Sequence, residues 1–272
     1  EKKAFSYVYQ QIYVAIDKMI REIPPCPYGL IGISLAVRGI IDLDGVIRFI
    51  PKLQWHNIDI KSLLEQRYNV PVYIDNDGNL AASMESRLHP QYEELTVLCI
   101  SDVISCGMIS NGQLIRGYLG FANAVGHHTI NIQETKQCSC GKYGCWEQYC
   151  SDQYLLDEIN LHLEKPLEDI DEFIELVKKQ HPSALAILDT YIRNLAIGLS
   201  NIIFFVNCEM IILNPHLIQS LPYLLPEIMK DIVLPITHTQ EILISTLGNE
   251  APILGASLKA IEEFFEILSA HG

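Results

Sequence analysis

One short segment limits what this chain can fold into. It reads Gly126-His127-His128, then, after a polar stretch, Cys138-Ser139-Cys140-Gly141-Lys142-Tyr143-Gly144-Cys145-Trp146-Glu147. One or two imidazoles, a Cys-x-Cys pair and a third thiol five residues on supply the donors for a tetrahedral ion of borderline softness, of which zinc is the usual example. Spacing alone leaves His127 and His128 both open as the nitrogen donor. Gly141 and Gly144 let the backbone turn tightly around an ion. Four protein donors leave no vacant position, so such a site is structural rather than catalytic. The other cysteines, Cys26, Cys99, Cys106, Cys150 and Cys208, are scattered along the chain. Eight cysteines in 272 residues make no disulfide framework, and the pattern reads as metal binding in a reducing cytoplasm.

The rest of the composition sets the class. At roughly 150 residues per domain, the length implies about two domains or one two-lobed one. With 49% hydrophobic and 19% charged residues, the chain has the material for a core. Its formal charge of −14, without any Lys/Arg run, argues against this chain gripping nucleic acid by itself. Glu1-Lys2-Lys3 leads into an amphipathic stretch, so no signal peptide is expected. The most apolar region, Leu195 to Leu213, is interrupted by Asn201, Asn207 and Glu209. It reads as a buried helix followed by a strand, not as a membrane span.

Periodicity predicts a helix over 4–22, ended by Pro24, Pro25 and Pro27. A strand follows over Leu30 to Ala36, with turns at Gly39 and Asp42 to Gly45. Further on come a helix over Ile60 to Arg67, a strand over Val72 to Ile74 and a helix over Asn79 to Arg87. Leu95 to Ile100 and Gly107 to Ser110 read as strands, and Asn111-Gly112 suits a type I′ hairpin turn. Residues 120–150 read as irregular. The remainder is mostly helical, with a strand over Met210 to Leu213 and a last helix striped by Leu258, Ile261, Phe265 and Leu268. Alternating strands and helices imply an α/β fold. A composition shift near residue 95 divides it into lobes, 1–95 and 96–254, with a closing helix over 255–272.

Gly-His, a gap, then Cys-x-Cys-Gly-x-x-Gly-Cys-x-Glu resembles the signature of the ROK family of repressors, open reading frames and kinases. Further matches are Gly32 to Asp42, Val72 to Asn79 with its Asn76-Asp77-Gly78-Asn79, Gly112 to Gly117, and Gly255-Ala256-Ser257-Leu258. The resemblance implies an actin-like, ribonuclease H-like two-lobed fold with a zinc loop over 126–147. It also implies that His127, Cys138, Cys140 and Cys145 hold the zinc, and that Asn76, Asp77, His127 and Glu147 face a sugar. In a kinase of the family Asp77 would be the catalytic base; it also suits a plain Asp-Gly turn.

The nucleotide side departs from that pattern. The family's Asp-x-Gly-x-Thr hairpin has no counterpart, because the chain begins after its position. The second phosphate segment falls at Ser101 to Gly107, where only Gly107 remains of its glycines. Val103 and Ser105 obstruct a phosphate there, and Asp102 repels it. Asn214-Pro215 stands where a Gly-Gly pair lets adenosine approach, and proline removes an N–H donor. On the sugar side, Ala124 and Asn123 replace the usual Glu and Gly before Gly126-His127. Arg38 sits where its strand turns toward the cleft, either as an ordinary exposed arginine or as a partner for an anionic ligand.

The expectation is therefore the effector-binding and oligomerising part of a cytoplasmic ROK regulator. Its partners would be a sugar or phosphosugar and further copies of itself, as a dimer or tetramer. DNA would be reached only through an upstream module, no membrane is involved, and ATP with Mg²⁺ is not expected. A ROK sugar kinase with divergent nucleotide contacts is the alternative. A dimer scaffold that has lost its ligand is the third reading.

Overall fold

The structure, a computed structural model, describes residues 5–232 and 240–271. The first lobe begins with α1 (Phe5–Glu22). Phe5, Tyr9, Ile12, Tyr13, Ile16 and Ile20 come from one side of this helix and join a cluster with Ile33, Ile41, Leu64 and Val72. Then follow β1 (Ile33–Val37), β2 (Ile40–Ile41), β3 (Ile47–Ile50), β4 (Trp55–Ile58), α2 (Ile60–Tyr68), β5 (Val72–Asn76) and α3 (Asp77–Leu88). Asp59 caps α2 by accepting from the Ser62 amide. β1 pairs with β5 in parallel, Ile33 opposite Val72 and Val37 opposite Asn76. Among the described residues its other edge carries no strand. β2, β3 and β4 form a separate antiparallel meander; the turns expected at Gly39 and Asp42 to Gly45 flank β2, and the sequence carries no strand signal over β3 and β4. Its strands are two to four residues long, too short to display alternation, and Gln54 and Asn57 adopt left-handed backbone.

The second lobe carries β6 (Leu95–Ile100), β7 (Ile104–Ser110) and β8 (Gln113–Leu114), then a loop with a 3₁₀ turn at Val125–His127. Helices α4 (Glu147–Cys150), α5 (Asp152–Asn160), α6 (Ile170–Lys178) and α7 (Pro182–Val206) lead into β9 (Met210–Pro215). After these come α8 (His216–Ser220), α9 (Leu224–Asp231), β10 (Glu241–Ile244) and α10 (Ala251–His271). The sheet order is β10-β9-β6-β7-β8. β10, β9 and β6 run parallel, and β6, β7 and β8 antiparallel. Asn111 and Gly112 both have positive φ, 49° and 69°, as a type I′ connection requires. Trp146, Phe173, Tyr191 and Leu155 anchor the core between this sheet and its helices.

α10 starts at Ala251, four residues before the expected Gly255. Its buried face is made of Ala251, Gly255, Ala256 and Ala260. Ile261 and Phe265 of the expected stripe are exposed, and the side chain of Leu268 lies outside the described residues. The reason is close packing: α10 lies against the backbone of α3, where only small side chains fit. No described helix is long and apolar enough to cross a membrane.

Candidate ligand cleft and metal centre

The thiol cluster closes as a knot of short-range contacts. The Cys138 amide donates to the Lys142 carbonyl at 2.8 Å, and the Gly141 amide to Cys138 at 2.9 Å. Thr129 bridges Cys145, and Gln137 bridges Tyr143. The donor atoms of His127, Cys138, Cys140 and Cys145 all lie within 4.8 Å of one another. Cys140 and Cys145 Sγ are 3.7 Å apart, and Cys138 Sγ is 3.7 Å from His127 Nδ1. A tetrahedron with arms of about 2.3 Å has edges of about 3.8 Å, so the spacing fits a four-coordinate thiophilic ion. Burial, then the neighbouring Cys138 and Cys140, push the Cys145 thiol far up. Three thiols packed this tightly become stable thiolates only around a cation. His128 is outside the cluster, and its carbonyl accepts from the Trp146 amide at 2.8 Å. The 3₁₀ turn thus resolves the choice that spacing left open.

His127 also lines a cleft between the lobes. Arg38 to Ile41 form one wall, Val103 to Cys106 another, and Gly120 to Ala124 a third. Of the four residues expected to face a sugar, Asn76, His127 and Glu147 line it. Asn76 is heavily engaged. Its Oδ1 accepts from the Gly78 amide at 2.9 Å, capping α3, and its Nδ2 donates to the Gly39 carbonyl at 3.0 Å. Glu147 starts α4 and accepts from the Ile104 amide at 3.1 Å. Burial pushes its carboxyl up, against the opposing effects of that bond and of Lys52. Asp77 is buried at 6% exposure, and it is not among the residues that line the cleft. Burial raises its pKa, opposed by Ser105 and by Arg38, whose Nε lies 3.5 Å from its carboxylate.

The segment expected to face phosphate is the tight turn between β6 and β7. Here Asp102 pairs with Arg38 through one oxygen and with Lys52 Nζ through the other, the latter at 2.9 Å. Burial alone would raise the Asp102 carboxyl. The hydrogen bond and charge of Lys52, with Arg38, outweigh it and hold the group below the ordinary carboxylate range. Gly107 serves packing: a Cβ on it would stand 2.1 Å from the Gly78 carbonyl oxygen, so α3 rests directly on β7. At the other expected contact, the buried Asn214 donates to the Gly248 carbonyl at 2.7 Å. Lys52 was not legible as a site residue. Neither was Gln54, which donates to the Ser139 carbonyl of the thiol loop at 3.0 Å. Both lie in an exposed turn, and nothing in its composition marks it.

The sequence matches the model of the ROK family over residues 2–263. It is 36% identical over 260 residues to a xylose repressor from Bacillus subtilis (strain 168), covering 93% of this chain and 67% of that protein. Among solved structures it resembles a ROK family glucokinase from Streptomyces griseus in complex with glucose and AMPPNP. That match has a TM-score of 0.83 at 20% identity and covers 94% of this chain and 88% of the other. A ROK family transcriptional regulator described as a homolog of an E. coli protein gives a TM-score of 0.77 at 20% identity, covering 95% and 68%. These two likenesses carry the actin-like fold. With thiol loop, cleft and sequence match in agreement, the chain belongs to the ROK family.

Proposed function

We propose that this chain is the effector-binding and oligomerising part of a ROK transcriptional regulator, with its DNA-reading module outside these residues. One observation carries the reading. The cleft keeps Asn76, His127 and Glu147 on its sugar side, while the phosphate-side turn is occupied by a carboxylate held between two cations. A kinase must bring the anionic phosphates of MgATP to that side of the cleft. The similarity to a xylose repressor supports a regulator and makes xylose the first sugar to test.

In this reading Asn76, His127 and Glu147 hydrogen-bond sugar hydroxyls from the cleft wall, and Asp77 holds Arg38 and the start of α3 in place. His127, Cys138, Cys140 and Cys145 hold zinc, which supplies structure and no open coordination position. The ion fixes His127 on one side of the loop and, through Cys145 and Trp146, Glu147 on the other. Sugar binding closes the lobes, 1–95 against 96–254 with the helix over 255–272, and biases the geometry of a homodimer or tetramer. The retained Asp77 favours one alternative, a ROK sugar kinase acting on a hexose or N-acetylhexosamine.

Thermal unfolding with xylose, glucose and N-acetylglucosamine, each with and without MgATP, tests both. A sugar at about 100 times its Kd adds roughly 2.7 kcal/mol of stability. Stabilisation by one sugar, indifferent to MgATP, is the expected result. Stabilisation by MgATP together with ATP turnover would replace the regulator by the kinase.

A further inference from the structure

The contact between Arg38, Lys52 and Asp102 has a property that the sugar reading does not use. Arg38 follows β1 and Lys52 follows β3, so both cations belong to the first lobe. Asp102 sits between β6 and β7, in the second. Each carboxylate oxygen takes one cation, and Ser101 Oγ donates to the first oxygen at 3.2 Å. Two cations converging on two oxygens, beside the cleft that Arg38 lines, is how proteins hold a phosphoryl or carboxyl group. All three side chains remain between 37% and 50% exposed, so the position is open to solvent.

We propose that Arg38 and Lys52 form an oxyanion subsite that the chain keeps filled with its own Asp102 carboxylate, which makes Asp102 the residue that bars an external phosphate from that pair of cations. The tethered carboxylate competes as an intramolecular ligand, at an effective concentration on the order of millimolar or above. An external phosphate must displace it and then meet its negative charge at close range. The same contact pins one lobe to the other across the cleft mouth. Glu147 and Asp77 do not substitute for it. Glu147 is bonded to the Ile104 amide, and Asp77 reaches only the Nε side of Arg38. The inference deepens the nucleotide-deficient reading given above, and it can fail while the cleft still binds a sugar.

Inorganic pyrophosphate is the probe, titrated calorimetrically into the full chain at constant ionic strength. Asp102→Asn keeps the shape and removes the charge, and Asp102→Ser removes both. Thermal melting of each variant reports whether it is folded, and either one suffices. Pyrophosphate should bind the variant at least tenfold tighter than the wild type. Adding Lys52→Met to the same variant should return the affinity to the wild-type level. Equal affinity of wild type and variant, whether weak or tight, overturns the proposal. So does tight binding that survives loss of Lys52.

Discussion

Gly198 lies in the middle of α7, where alanine would ordinarily be the better residue by about 1 kcal/mol. Here the packing reverses that preference. A Cβ on Gly198 would stand 2.0 Å from Cε2 and 2.1 Å from Cζ2 of Trp146. Carbon atoms in contact sit about 3.5–4.0 Å apart, so the indole would have to retreat by roughly 1.5 Å. It has little room to do so. Trp146 is 1% exposed, and its Nε1 donates to the Asn194 carbonyl at 3.0 Å. Overpacking a core costs about 1–3 kcal/mol, and a displacement this large belongs at the upper end. After the gain in helix propensity, Gly198→Ala should therefore destabilise by about 2 kcal/mol. At roughly 2–4 °C per kcal/mol, the melting temperature should fall by about 4–8 °C. Calorimetry or circular dichroism measures this directly. Trp146→Leu in the same chain should relieve part of the loss, giving a coupling of about 1 kcal/mol in a double-mutant cycle. Cys145 and Glu147 flank the displaced ring, so metal retention should weaken as well. A Gly198→Ala chain that melts at or above the wild-type temperature would refute the packing argument.

Two more outcomes follow from the described groups. Cys140→Ser removes one of four donors and should release the ion and lower the melting temperature, as a strong chelator should in the wild type. Full metal content with unchanged melting would remove the metal assignment. Asp152 tests the electrostatics. Burial, opposed mainly by His216, raises its carboxyl from 3.8 to about 6, and its Oδ1 is buried without a hydrogen bond. The folded chain therefore keeps a proton that the unfolded chain releases between about pH 4 and pH 6. Stability should fall as pH rises through that window, by at most about 3 kcal/mol at 1.36 kcal/mol per pH unit. Asp152→Asn should flatten that slope and raise stability near pH 7.5, and an unchanged slope would reassign it to other groups.

What could be read from the sequence was what local chemistry dictates. The thiol loop was legible because its donors lie close together in the chain. The Asn-Gly hairpin was legible because few residue pairs accept positive φ twice in succession. α1 carried a clear helical period, and the late strand β9 followed a long apolar helix as expected. The meander β2-β3-β4 was not legible, because its strands span only two to four residues, one or two periods of alternation. α10 misled in a different way. Its largest apolar residues lie toward solvent, because α3 approaches too closely for anything but glycine and alanine. Hydrophobic size therefore pointed to the wrong face.

The cleft repeats that lesson at the level of charge. Asp102 could be recognised from the sequence as a residue that repels phosphate. That it is itself the anion in a finished site could not. Its partners, Arg38 and Lys52, lie 64 and 50 residues earlier, in two different turns. Neither turn has a pattern that points to the other or to the β6–β7 connection. The three meet only because the meander carries Lys52 back across the cleft beside Arg38, and the meander is the element least visible in the sequence. A carboxylate that looks like a defect in a phosphate loop becomes a complete ion-paired contact once that hairpin is folded. The distinction matters for evolution of the site. A merely damaged phosphate loop would need several glycines restored before it could accept an anion. A filled one needs the loss of a single charge, and the two histories predict opposite results for Asp102→Asn.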